Sequence, residues 1–150
     1  MPPTGGTTGW RNAKLTQRLT SWAEADGTGL TFDSSTVFAL PNGARRSPDA
    51  AWVLRERWEV LTEEEQERFP PLCPDFVIEL RSRTDSLPAL QDKMLEYIAN
   101  GARLGLLLDP ETRRVYIYRP GGAVETLENP ATISGDPVLP GFVLNLLEIW

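Results

Sequence analysis

A carboxylate stands inside the most apolar stretch of this chain. Pro74-Asp75-Phe76-Val77-Ile78-Glu79-Leu80-Arg81 reads as a central strand, nearly continuous in apolar residues as a doubly covered strand should be. Residues two apart on a strand share a face, so Asp75, Val77, Glu79 and Arg81 point one way while Phe76, Ile78 and Leu80 point the other. A charge in such a place is costly unless it is paired or bound to metal, so Glu79 needs a partner. Lys93 can be placed by helix arithmetic. Leu87, Leu90, Met94, Tyr97 and Ile98 form an apolar stripe facing the sheet. Lys93, three residues after Leu90 and four before Tyr97, borders that stripe and can reach over the sheet edge. Asp92 and Glu96 point further toward solvent. Asp49 lies near the start of another strand, in Arg45-Arg46-Ser47-Pro48-Asp49-Ala50-Ala51-Trp52-Val53.

What these groups can do is bounded by what the chain lacks. Histidine is absent and cysteine occurs once, at Cys73. That excludes Ser-His-Asp and Cys-His catalysis, a His-ligated or Cys-based metal site, and an internal disulfide. Catalysis must use carboxylates, Lys, Arg, Tyr or hydroxyls, with any metal held by oxygen, which favours hard cations such as Mg2+ or Mn2+. The formal net charge of −6 argues against a broad basic face for nucleic acid. It leaves DNA possible as a substrate, because carboxylates that bind metal carry part of the charge and the ion inverts its local sign. No apolar run approaches the ~18 residues of a membrane span, and residues 1–9 carry neither the basic nor the apolar region of a signal peptide. The expectation is a cytoplasmic protein without membrane association.

The elements that must position these residues alternate between helical and strand-like patterns over 150 residues, with 41% hydrophobic content. This predicts one α/β domain with a central mixed sheet flanked by helices. The first nine residues, rich in Pro and Gly, read as loop or as a clipped strand. A helix is predicted from Trp10 to about Ala25, stopped by Asp26, Gly27 and Gly29. Leu30–Phe32 and Thr36–Leu40 read as short strands, followed by the Pro41-Asn42-Gly43 turn. Trp58 and Leu61 sit on a short helical piece. Thr62-Glu63-Glu64-Glu65 is a capping-box pattern that opens another. Thr84-Asp85-Ser86 offers N-caps for a helix ending near Asn100, with Gly101 beyond it. Arg103–Leu108 reads as a buried strand closed by Asp109-Pro110. Arg113–Arg119 alternates like a strand with one wet face, and Ala123–Leu127 can pair with it through Gly121-Gly122. Phe142–Trp150 reads as a short strand and turn. There is no internal repeat and no second domain.

Several blocks together resemble one family. FDSSTVFALPNGARRSPDAAWV, PPLCPDFVIELRS, LQDKMLEYIANGARLGLLLDP and PVLPGFVLNLLEIW, with the opening MPPTGGTTG, closely resemble the Uma-two family assigned to the PD-(D/E)XK restriction-endonuclease superfamily. The resemblance covers nearly the whole chain. It implies a restriction-endonuclease-like fold and a divalent-metal-dependent endonuclease that hydrolyses DNA phosphodiester bonds. By that resemblance Asp49 is the first acidic ligand and Glu79 the second, together holding Mg2+ or Mn2+, with Asp75 a third ligand or an outer group. The superfamily's Lys, usually two residues after the second acid, is replaced here by Arg81, and its role moves to Lys93. Lys93 would then orient water or stabilise the transition state, and Arg81 would neutralise phosphate charge. The chain departs from the family in two further places. By the resemblance, the N-terminal segment that usually precedes Pro-Thr-Gly-Gly is expected to be missing, whether clipped or naturally short, and the usual Ser-Pro after the second acid reads Ser82-Arg83.

Structural alternatives stand beside each assignment. Asp49 can simply start a strand and cap a turn, and Asp75 reads more readily as a strand-entry or turn residue than as a ligand. Glu79 can pair with Arg81 or another arginine, and Lys93 taken alone reads as a solvated helix residue. The corresponding functional alternatives are a catalytically inactive nuclease-fold module that binds nucleic acid or protein, and a structural module that retains only the fold. A homodimer is expected only by analogy with folds that pair to cut two strands.

Overall fold

The first helix begins earlier than the apolar periodicity predicts. In the computed structural model, which describes residues 3–150, α1 spans Gly6–Asp26. Thr7, Thr8 and Gly9, read from sequence as loop, are its first turns. The Leu15, Leu19 and Ala23 stripe carries the packing, and glycines in a first turn do not outweigh it. Residues 1 and 2, also in that loop reading, lie outside the described residues. Gly27, with a φ of 80°, closes the helix through its N–H to the Ala23 carbonyl.

The remaining elements follow in order: β1 (Gly29–Asp33), β2 (Phe38–Ala39), β3 (Arg45–Arg46), β4 (Ala50–Leu54), α2 (Arg55–Glu59), α3 (Glu63–Glu67), β5 (Phe76–Leu80), α4 (Leu87–Ala99), β6 (Leu104–Asp109), β7 (Arg114–Tyr118), β8 (Glu125–Glu128), β9 (Thr132–Ser134), β10 (Val143–Asn145) and a 3-10 turn at Leu146–Glu148. The Thr62 capping box forms as predicted, with Thr62 and Glu65 each accepting the other's backbone N–H. Ser86 caps α4 by accepting the Ala89 N–H, and Pro88 lies in the first turn. Residues 45–53 do not form one strand. Ser47-Pro48-Asp49 separates β3 from β4, so Asp49 lies immediately before β4 rather than within a longer ladder.

Six strands form a mixed sheet in the order β1-β4-β5-β6-β7-β8. Only β5 and β6 run parallel, joined by the α4 crossover; the other neighbours are antiparallel. Both faces are covered. Leu15, Leu19 and Ala23 of α1 pack with Phe76, Ile78 and Leu80 of β5 and with the C-terminal residues Phe142, Leu144 and Ile149. Val77 faces the other way, onto Met94 and Tyr97 of α4. The two-residue alternation read in β5 therefore holds. The wet face expected of β7 is absent, because Val115 and Ile117 lie under the C-terminal layer while Tyr116 and Tyr118 join the α4 cluster. Among the described residues no helix is long and apolar enough to cross a membrane.

Candidate functional site

Three elements deliver the sequence-predicted residues to one place. Asp49, immediately before β4, and Glu79, on the central strand β5, are 8% and 3% exposed. Both line a cleft of about 1030 Å³, as do Lys93 of α4, Arg11 of α1 and the Ser82-Arg83 loop. The antiparallel β4–β5 ladder pairs Ala50 with Ile78. This sets Asp49 beside the end of β5, where its Oδ2 accepts the Leu80 N–H at 2.7 Å.

Glu79 finds the partner its burial demands. Lys93 Nζ lies 2.9 Å from Oε2, and the Tyr97 hydroxyl donates to the same oxygen at 2.7 Å. Lys93 and Tyr97 are four residues apart on α4, so one helix face supplies both donors. Oε1 has no protein donor among the described residues, which leaves one oxygen of a cleft-lining carboxylate available. Burial raises the Glu79 carboxyl to about 7; Lys93 opposes the rise and the nearby Asp49 charge adds to it. Asp49 is also raised, by burial first, against the lowering effect of the Leu80 N–H. Tyr97 is raised by burial and by the Glu79 charge, so it remains a protonated donor. Cys73 is buried, its thiol pushed up to about 12 by desolvation.

The structure does not bring Asp75 to this group. Asp75 precedes β5 at the opposite end, where it accepts the Leu54 N–H at 2.8 Å and pairs with Arg103 at 3.3 Å. Arg57 Nη1 lies 2.9 Å away without being aligned to donate. Arg81 borders the cleft, but its guanidinium is held at 2.9 Å by Asp109. Asp109 is fully buried and also accepts from the Glu111 N–H and the Thr112 hydroxyl. The Asp109-Pro110 turn read in the sequence is thus anchored by Arg81.

Two site residues were not singled out from the sequence. Tyr97 was read only as part of the apolar stripe. Its position four residues after Lys93 was the available signal. Asn12 of α1 donates through Nδ2 to Asp49 Oδ1 at 3.3 Å. The signal there was a polar residue in register with Leu15 and Leu19.

The donor set suits a hard divalent cation with few protein ligands. Among the described residues there is no cluster of three or more His, Cys, Asp or Glu able to hold a metal. Two carboxylates, one with a free oxygen, are nevertheless what Mg2+ commonly takes from protein, with water and substrate phosphate completing its shell. The residues present therefore fit such an ion.

The comparisons with known proteins agree with this architecture. A family model described as Uma2, "Putative restriction endonuclease", matches residues 1–147. No curated protein matches. A solved structure described as a putative nuclease belonging to DUF820 from Anabaena variabilis ATCC 29413 has a TM-score of 0.81 at 18% identity, covering 99% of this chain and 82% of that one. At that identity the likeness shows the fold alone. A DrdV–DNA complex structure has a TM-score of 0.48 at 17% identity over 78% of this chain and 10% of that one, too distant to carry an argument.

Proposed function

This chain belongs to the Uma2 family of restriction-endonuclease-like proteins, and from that premise we propose that it is a divalent-metal-dependent endonuclease hydrolysing DNA phosphodiester bonds. The observation that carries the reading is the convergence of Asp49 and Glu79 on an open cleft, with the Lys93 ammonium 2.9 Å from Glu79 and one Glu79 oxygen left free. Asp49 and Glu79 would hold Mg2+ or Mn2+. When bound, such an ion lowers the pKa of a water and offsets charge on the phosphate. The chain's own groups do the rest. The Leu80 N–H and the Asn12 amide hold the Asp49 carboxylate. Tyr97 and Lys93 hold Glu79 by one oxygen. Lys93 reaches the cleft, where its side chain can orient the attacking water and offset charge developing on phosphate oxygens. In the hydrolysis the water oxygen forms a bond to phosphorus, one P–O ester bond breaks, and the departing oxygen takes up a proton.

The test is Mn2+-dependent DNA cleavage together with Mn2+ calorimetry on wild type, Glu79→Gln and Asp49→Asn. Binding and cleavage in wild type, with both lost in each variant while the fold persists, is the expected result. The loss in cleavage should reach at least about 10²–10³-fold, comparable to removing one preorganised electrostatic group. The lack, among the described residues, of any cluster of three or more metal-ligating side chains favours a second reading, an inactive nuclease-fold module that binds nucleic acid or protein. DNA binding without any metal-dependent cleavage in wild type would select it.

A further inference from the structure

Beneath Asp49 lies a residue that folding alone does not explain. The face that α1 buries consists of Asn12, Leu15, Leu19 and Ala23. Their spacing puts them on one stripe of the helix, apolar except at its first position. Asn12 is 8% exposed there, and its Oδ1 is buried without any hydrogen-bond partner. A buried carbonyl oxygen left without a donor destabilises the fold, so Asn12 brings a cost that the apolar stripe does not require. A leucine at its first position would continue the apolar stripe.

Asn12 does supply one thing leucine cannot, a donor to Asp49. The Leu80 N–H holds Oδ2 at 2.7 Å, and with that bond alone the carboxylate can still turn about its Cβ–Cγ bond. The Asn12 Nδ2, arriving from a different element at 3.3 Å, holds Oδ1. Two donors on two oxygens fix the plane of the carboxylate. With the amide turned this way, its own oxygen is the atom left unpartnered. The orphaned atom and the hydrogen bond are therefore two consequences of one arrangement, and only the hydrogen bond is useful.

We infer that Asn12 is a positioning residue, holding the Asp49 carboxylate in the orientation that takes a divalent cation together with Glu79. The inference rests on the nuclease reading above and names a residue on α1 that acts through Asp49. Groups that orient a metal ligand in this way typically alter metal affinity by 10–100-fold when removed. A residue kept only for packing alters stability and leaves the affinity of the folded protein unchanged.

The experiment is Mn2+ calorimetry on the full chain and on Asn12→Leu, with the metal-free Tm of each. The expected result is a Kd weakened by about 10–100-fold in Asn12→Leu, whatever the change in its metal-free Tm. A loss of affinity in a variant that still folds is the signature of positioning. Asn12→Ala, which removes the donor without adding methyl groups, should show the same loss of affinity whatever its Tm. Unchanged affinity in either folded variant overturns the inference and leaves the nuclease reading standing. A wild-type chain that binds no Mn2+ overturns the metal-dependent reading itself, before any variant is compared.

Discussion

The two ends of β5 both bury a carboxylate, and the resemblance stops there. Asp75 and Glu79 are each 3% exposed and lie four residues apart, about 13 Å along the strand. Around Asp75 stand two arginines and a backbone N–H, so a single negative charge is more than matched and both oxygens are engaged. Around Glu79 the balance reverses. Two carboxylates share one ammonium, one oxygen has no donor, and the group opens on a cleft of about 1030 Å³. Burial of an acid is therefore uninformative by itself. The count of countercharges and the presence of open space separate a structural ion pair from a site that can still accept a cation.

The sharpest way to break this comparison is to neutralise each end. Asp75→Asn should destabilise the fold by about 2–3 kcal/mol. That is below the usual loss for a broken buried pair because Arg57 and Arg103 reach solvent. The Mn2+ affinity of the folded protein should be unchanged. Denaturant unfolding and calorimetry on the same sample check both halves. Glu79→Gln should do the reverse, with Mn2+ binding lost and the metal-free fold at pH 8 at least as stable as wild type, since it no longer buries an ionised carboxylate. A loss of Mn2+ binding in Asp75→Asn would place Asp75 in the site after all.

The same contrast has a pH signature. Glu79 titrates near 7 in the folded chain, above its ordinary 4.5, so the folded state holds that proton more tightly than the unfolded state does. The stabilisation is fully present below about 4.5 and is lost as pH rises through about 7. The raised Asp49 acts in the same direction. Asp33, Glu96 and Glu148, held low by hydrogen-bonding partners, act oppositely and only at more acidic pH. The metal-free Tm should thus fall between pH 5.5 and 8, the fall should flatten in Glu79→Gln, and Mn2+ should restore Tm at pH 8 far more than at pH 5.5. An equal Mn2+ effect at both pH values would mean that Glu79 does not hold the ion.

Much of this was legible in the residues. An acid in an otherwise apolar strand required a partner, and helix arithmetic put Lys93 at the right edge of α4. A central mixed sheet flanked by helices followed from apolar runs and turn residues, but its six strands and their order did not. What escaped prediction depended on contacts distant in sequence. Asp75 and Glu79 share a strand face by the two-residue rule, but that rule gives no position along the strand relative to Arg57, Arg103 or α4. Arg81 looked free for phosphate because Asp109, 28 residues away, read as a turn residue. Asn12 meets Asp49 across 37 positions. The early start of α1 was hidden because glycines and threonines carry weak helix propensity and the packing lies one turn later.

The smallest expected effect tests how the free oxygen of Glu79 is kept free. Tyr97→Phe removes one of two donors on Oε2 and leaves Lys93 and the apolar packing of the ring in place. Stability should change by only about 1 kcal/mol, the usual net value of one hydrogen bond. Mn2+ affinity at pH 7 should fall about tenfold, within the range typical of groups that orient a ligand, by two routes. The lost bond normally lowers the Glu79 pKa, so its removal strengthens competition from the proton. It also leaves the carboxylate freer to rotate, so Oε1 is no longer the oxygen reliably presented to the cleft. Repeating the calorimetry at pH 9 separates them, because Glu79 is then ionised in both proteins and proton competition vanishes. A deficit that survives at pH 9 belongs to orientation. A deficit confined to pH 7 makes Tyr97 a charge-tuning group alone. No deficit at either pH would mean that Lys93 by itself holds Glu79, and that the second donor at this end of β5 is as structural as the arginines at the other.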